Sequence, residues 1–120
     1  MSRPLEYSVS ARRLDGAGSL ATAKAAEVLL DTSLAGRADA LNPAELLLAS
    51  LAACMIKGAE RVAPMLNFRL EGISVAVHAV RQDSPPTLIS INYRIIVDTD
   101  EPERRLELLH TNIRKYGTIS

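Results

Sequence analysis

Residues 41–58, LNPAELLLASLAACMIKG, hold the longest apolar run of the chain and its only cysteine. Asn42 is a good N-cap residue, Pro43 suits the first helical position, and Glu45 falls where a capping box closes. Ala, Leu and Met, all strong helix formers, fill the body of the stretch. The pattern predicts a helix that runs to about Ala63, where a proline follows. Because its first half is apolar on every side, we expect that half to be buried.

The segments before this helix predict an N-terminal hairpin. Residues 5–15 alternate well enough to indicate a strand, and the sequence DGAGS at 15–19 indicates a turn. Residues 20–33 predict a returning strand, although their alanines leave a helix open as an alternative. Residues 34–43 predict a loop.

The segments after the helix predict a second hairpin and a second helix. Residues 68–83 and 87–100 alternate in the manner of two antiparallel strands joined at SPP. Residues 101–117 show an amphipathic helical pattern with a glycine at its end. The predicted fold class is therefore α+β, with residues 1–120 as a single domain. Four strands and two helices cannot easily enclose an all-apolar helix. We therefore expect a homodimer in which a second copy helps to bury it.

Composition excludes several classes of function. The 120 residues carry 14 basic and 14 acidic side chains and few aromatics, which argues against nucleic acid as a partner. The apolar run is far shorter than the roughly 20 residues that span a bilayer, so no membrane partner is expected. No signal peptide is visible, and a single cysteine excludes an intrachain disulfide. These observations predict a cytoplasmic protein.

The lone cysteine, Cys54, is either a small core residue or a nucleophile. Free cysteines are often buried and inert, and a reactive thiol needs a nearby cation or helix N-terminus. The N-terminus of its own helix is about three turns away, too far for the helix dipole to act. A cationic partner must come from elsewhere, and the candidates are Arg12, Arg13, Arg37 and Arg61.

The remaining candidates for chemistry have ordinary structural explanations. Glu45 is a weak acid/base candidate, because helix capping accounts for it. His78 and His110 are predicted on different elements, with no Cys, Asp or Glu at ligand spacing. The sequence therefore predicts no metal site, and it contains no cofactor motif.

The block NPAELLLASLAACM, followed by two strands and a helix ending in RKYGTIS, resembles the OsmC/Ohr family of osmotically inducible and organic hydroperoxide resistance proteins. The resemblance covers nearly the whole chain. It implies an OsmC-like fold, with antiparallel sheets wrapped around long central helices in an intertwined homodimer. It also implies a thiol peroxidase in which a helix cysteine reduces an organic hydroperoxide and a second cysteine resolves the product.

The resemblance assigns roles to some residues and shows two departures. Cys54 matches the peroxidatic cysteine, and Arg13 matches the arginine of the N-terminal hairpin, with Arg12 as the fallback. Ala44 stands where the family has a functional glutamate, and Gly117 stands where it has the second cysteine. Compared with the family pattern, the sequence also stops before a last helical turn and strand.

Two functions follow as hypotheses. The first is a peroxidase with Cys54 as nucleophile, Arg13 as its electrostatic partner, an organic hydroperoxide as substrate and an external thiol as reductant. The second is a non-catalytic dimer that binds a small hydrophobic ligand at its interface or serves a structural role.

Overall fold

The computed structural model describes residues 4–117 and has the α+β architecture that the sequence predicts. The chain divides into two compact units, Met1–Leu46 and Leu47–Ser120.

The N-terminal unit contains a three-stranded antiparallel sheet rather than the predicted hairpin. Strands β1 (Ser10–Asp15), β2 (Gly18–Ala23) and β3 (Ala26–Leu30) pair in the order β1-β2-β3. The prediction of one continuous element over 20–33 was wrong, because the chain turns sharply after β2. Lys24 occupies this turn with φ 56°, a left-handed conformation that sequence reasoning assigns to Gly or Asn.

The long helix α1 (Pro43–Met65) begins where the capping pattern predicts. The Glu45 backbone N–H donates to Asn42 Oδ1 at 2.8 Å, and the Asn42 backbone N–H donates to Glu45 Oε1 at 2.9 Å. This reciprocal pair satisfies two amides that the first helical turn leaves free. Pro64 lies inside the last turn, one residue before the helix ends.

Within one chain, the buried half of α1 is not the half that the sequence predicts to be buried. Its first half, expected to be buried, is exposed or half-buried, and Leu47 keeps 54% of its surface accessible. The buried positions all lie in the second half, where one methionine, one valine and three small residues face the rest of their unit; they are Met55, Gly58, Ala59, Val62 and Ala63. The apolar residues on every side of the first half of α1 therefore did not show which half of the helix is buried within a single chain.

The C-terminal unit packs a hairpin and a second helix around the end of α1. Strands β4 (Gly72–Asp83) and β5 (Pro86–Asp98) pair antiparallel, and helix α2 (Glu103–Tyr116) follows. Along β4 the half-buried positions alternate with exposed ones, as the period-two pattern predicts. The core centres on Val62, Leu109 and Ile113, each no more than 1% exposed.

A guanidinium from α2 caps the chain just after α1. The last turn of α1 carries no basic residue. Arg105 supplies one from α2, because its Nη2 donates to the carbonyl oxygens of Leu66 at 2.7 Å and Asn67 at 3.4 Å. Its Nε also donates to Glu101 Oε1 at 3.3 Å. The Arg69 backbone N–H and Arg105 together hold the pKa of Glu101 below its usual range.

Candidate functional site

Cys54 lies near the middle of α1 and is half-buried. It borders a small cavity of about 30 Å³ together with Lys57, Gly58, Arg61 and Gly117. A cavity needs roughly 10–15 Å³ to hold one water molecule, so this one has room for only a small group. The thiol is therefore neither sealed in the core nor fully open to solvent.

Helix periodicity places the two cations beside the thiol. Lys57 and Arg61 follow Cys54 by three and seven residues, so all three project from one face of the helix. Arg61 is also anchored, because its Nη1 donates to the backbone carbonyl of Tyr116 at 3.0 Å. Arg61 is one of the four cationic candidates predicted from the sequence. Lys57 was not among them, although the same helical spacing identifies it.

A glycine brings α2 close to this face. A Cβ added at Gly58 would lie 3.3 Å from Ile113 Cγ2, so the missing side chain is what permits the approach of the two helices. Gly117 ends α2 as predicted, but in an extended conformation with φ −73° and ψ 144° instead of a left-handed one. The end of α2 thus forms one wall of the cavity at Cys54.

Positive side chains next to a thiol stabilise negative charge on its sulfur, and the thiolate is the nucleophilic form. The cavity combines a thiol, two cations and space for one small group. This arrangement is suited to attack on a slim electrophile and to stabilisation of the anion that forms.

The two arginines that the family resemblance assigns to the site, Arg12 and Arg13, lie in the N-terminal unit. Arg12 and Arg13 are on β1, where they pair with Leu20 and Ser19 of β2, and both are exposed. Because they are consecutive on a strand, their side chains face opposite sides of the sheet. An electrostatic interaction between Arg13 and Cys54 stays a prediction.

Arg37 is committed to acidic partners within the N-terminal unit. Its Nε and Nη2 donate to the two carboxylate oxygens of Asp39 at 2.6 and 2.8 Å. This bidentate pair holds the pKa of Asp39 below its usual range and raises that of Arg37. The backbone N–H of Arg37 also donates to Asp31 Oδ2 at 2.9 Å. These contacts give Arg37 a structural role.

The carboxylate at the start of α1 takes part in helix capping. Ala44 is half-buried and has no polar side chain. Glu45 is exposed, and its carboxylate accepts the Asn42 N–H of the capping box. The structural explanation of Glu45 is therefore confirmed.

Among the described residues, neither histidine belongs to a cluster that could hold a metal ion. His78 is exposed on β4, and residues 4–117 contain no group of three or more His, Cys, Asp or Glu side chains that could hold a metal ion. His110 is not a simple surface residue, because its Nε2 lies 2.7 Å from the hydroxyl of Tyr93. The two rings meet edge to face with centroids 5.8 Å apart.

The Tyr93–His110 pair closes one side of an apolar groove between β5 and α2. The groove has a volume of about 420 Å³. Its apolar lining comes from both elements and consists of Ile95, Val97, Leu106, Leu109 and Ile113. Pockets of this size and character accept small organic molecules.

Within residues 4–117, no helix is long and apolar enough to cross a membrane.

The fold and the site define an α+β protein with one half-buried cysteine on its long helix. A family model described as "OsmC-like protein" matches residues 36–120, well over half of the chain. The chain therefore belongs to the OsmC-like protein family, as the sequence resemblance predicts.

Solved structures of several relatives share the fold. An OsmC-like protein from Mycoplasma pneumoniae superposes with a TM-score of 0.88 at 20% identity, covering 97% of this chain and 85% of that one. The organic hydroperoxide resistance protein OhrB of Bacillus subtilis has a TM-score of 0.65 at 21% identity, with 95% and 87% covered. An organic hydroperoxide resistance protein, OsmC, from Legionella pneumophila has a TM-score of 0.71 at 18% identity, with 98% and 88% covered. No curated protein matches this chain in sequence.

Proposed function

We propose that this protein is a thiol-dependent peroxidase that reduces organic hydroperoxides through Cys54. The observation that carries the proposal is the position of the only thiol, which borders a small cavity between Lys57 and Arg61. Two of the structural relatives are named organic hydroperoxide resistance proteins, which supports this choice of substrate class.

The reaction needs one thiol of the protein and two equivalents of an external thiol. The Cys54 thiolate attacks the terminal oxygen of ROOH, the O–O bond breaks, and the alkoxide leaves as an alcohol after taking up a proton. Cys54 is then a sulfenic acid. An external thiol condenses with it to a mixed disulfide and releases water, and a second external thiol displaces Cys54 and leaves as the disulfide.

The need for an external thiol follows from the single cysteine of the sequence. These 120 residues contain no second cysteine, so an intrachain disulfide cannot resolve the sulfenic acid. We propose the cytoplasm as the location, because glutathione and thioredoxin systems keep thiols reduced there.

We further propose that the protein acts as a homodimer in which Arg13 is an electrostatic partner of the thiolate. The exposed apolar first half of α1, with Leu47 54% accessible, supports a second copy that covers it. Arg13 itself is exposed on β1, and Arg12 provides a matched control of opposite orientation on the same strand.

Peroxidase activity is tested by the consumption of cumene hydroperoxide in the presence of an excess of small thiol. The wild-type protein is expected to consume the hydroperoxide, and Cys54→Ser is expected to reduce the rate to the uncatalysed value. Arg13→Gln is expected to lower the rate more than Arg12→Gln. Equal rates for the wild type and Cys54→Ser would refute the peroxidase.

The groove between β5 and α2 favours a second function, the binding of a small hydrophobic molecule. Its volume and apolar lining suit such a ligand. Ile95 lines the groove, whereas Ile96 is 55% exposed on the opposite face of β5. The neutral dye N-phenylnaphthylamine is expected to show saturable fluorescence that Ile95→Gln abolishes and Ile96→Gln preserves. An equal response of the two variants would contradict this function.

A further inference from the structure

We propose that the external thiol that resolves Cys54 is a small thiol bearing a carboxylate or another anionic group, selected by Lys57 and Arg61. This inference rests on the proposed function, and it specifies the class of reductant that the cavity at Cys54 accepts.

The first argument is the charge at the cavity. Lys57 and Arg61 are one helical turn apart and border the same small space as Cys54. Like charges at this spacing repel by about 0.2–0.5 kcal/mol in an isolated helix. Neither cation belongs to an ion pair of the part of the chain that the structure describes. An anion in the cavity would relieve this repulsion.

The second argument is the orientation of Arg61. Its Nη1 donates to the Tyr116 carbonyl, which holds the guanidinium at the wall of the cavity. A guanidinium has five N–H donors, and a fixed one matches the geometry of a carboxylate. The contact with the end of α2 therefore prepares Arg61 to receive an anionic group near the sulfur.

The third argument is the shape of the cavity. Among residues 4–117, five line the cavity, and two of these, Gly58 and Gly117, are glycines that contribute no side chain to fill it. Its volume of about 30 Å³ accommodates only the end of a slim molecule. A small thiol with an unbranched carbon next to its sulfur fits this description better than a cysteine on a folded protein.

The anionic group leaves the chemistry of the resolving step unchanged. The sulfur of the small thiol attacks Cys54 Sγ, the S–O bond of the sulfenic acid breaks, and hydroxide leaves as water after protonation. Lys57 and Arg61 bind the anionic group of the thiol and position the attacking sulfur. They act as specificity-determining residues for the reductant.

The test measures attack on Cys54 Sγ without any peroxide. Cys54 is first converted to its mixed disulfide with thiopyridine by dithiodipyridine. Release of thiopyridone is then followed with three small thiols: mercaptoacetate is anionic, mercaptoethanol is neutral, and cysteamine is cationic. Each rate is divided by the rate of the same thiol with the corresponding adduct of N-acetylcysteinamide, which removes differences in intrinsic reactivity.

The normalised rate of mercaptoacetate is expected to exceed that of mercaptoethanol by about three- to tenfold, and cysteamine is expected to be slowest. The double variant Lys57→Gln/Arg61→Gln is expected to equalise the three rates. Lys57→Arg/Arg61→Lys, which keeps both charges, is expected to retain the order. Raising the salt to about 1 M, where the screening length is about 3 Å, is expected to shrink the preference.

A control variant, Arg94→Gln/Arg104→Gln, removes two exposed cations of the same unit that do not border the cavity. It is expected to keep the wild-type order. Equal normalised rates in the wild type, or a preference that survives in Lys57→Gln/Arg61→Gln, would overturn the proposal. Because the assay contains no hydroperoxide, a failure here is distinct from a failure of peroxidase activity.

Discussion

Replacing Gly117 with cysteine is expected to give Cys54 an intrachain disulfide partner. Both positions border one cavity of about 30 Å³. Gly117 has φ −73° and ψ 144°, an ordinary extended conformation that a cysteine adopts without strain. The backbone therefore presents no obstacle to the substitution, and the new thiol starts beside the existing one.

The size of the closed loop sets the expected stabilisation. The crosslink joins positions 54 and 117, so it closes a loop of 63 residues. The chain-entropy model gives about 4 kcal/mol for a loop of this length, as an upper value for an unstrained disulfide. In a chain of this size, about 4 kcal/mol corresponds to a rise in Tm of roughly 16 °C.

The assay compares thiol content and thermal unfolding after oxidation with diamide. Gly117→Cys is expected to lose both free thiols, to remain a single-chain species on a non-reducing gel and to gain Tm that dithiothreitol reverses. Arg114→Cys serves as the control, because position 114 is exposed on α2 and does not border the cavity. Two free thiols after oxidation, or an equal response of Arg114→Cys, would refute the reasoning.

Three further predictions concern stability. Asn42→Ala removes the acceptor for the Glu45 N–H and is expected to cost about 0.5–2 kcal/mol of unfolding free energy, whereas Asn42→Asp should cost little. Leu109→Ala is expected to cost about 2–5 kcal/mol in urea unfolding, because Leu109 is 1% exposed, while its 40% exposed neighbour Leu108 should tolerate alanine within about 0.5 kcal/mol. Hydrogen bonds led by the Ser33 hydroxyl lower the pKa of Asp31, so its stabilisation is present above the unfolded pKa of about 3.9 and lost as the pH falls through the folded value. The stability difference between wild type and Asp31→Asn should therefore shrink on acidification, and a difference that grows would contradict the assignment.

Helices and strands were predicted well from the sequence where helix capping or the alternation of apolar and polar residues determines them. Asn42 and Glu45 marked the start of α1 because a capping box is a contact over only three residues. The N-terminal sheet was predicted less well. Its second turn uses Lys24 in a left-handed conformation, and no local pattern marks a lysine for that role.

The candidate site depends on contacts between elements, which sequence spacing shows only in part. Helical periodicity is enough to place Lys57 and Arg61 on the face of Cys54. The fixed position of Arg61 depends on Tyr116, which lies 55 residues along the chain. The pairing of Arg37 with Asp39 was likewise not predicted, because the two side chains are brought together only in the folded loop.

The guanidinium of Arg105 has a consequence for the order in which parts of the C-terminal unit open. It bonds to the carbonyl oxygens of Leu66 and Asn67, so the end of α1 and the start of α2 share one charged group. Neither end can fray without breaking bonds that belong to the other. Native-state hydrogen exchange should therefore show the last turn of α1 and the first turns of α2 as one cooperative unit. Arg105→Ala should separate their exchange rates.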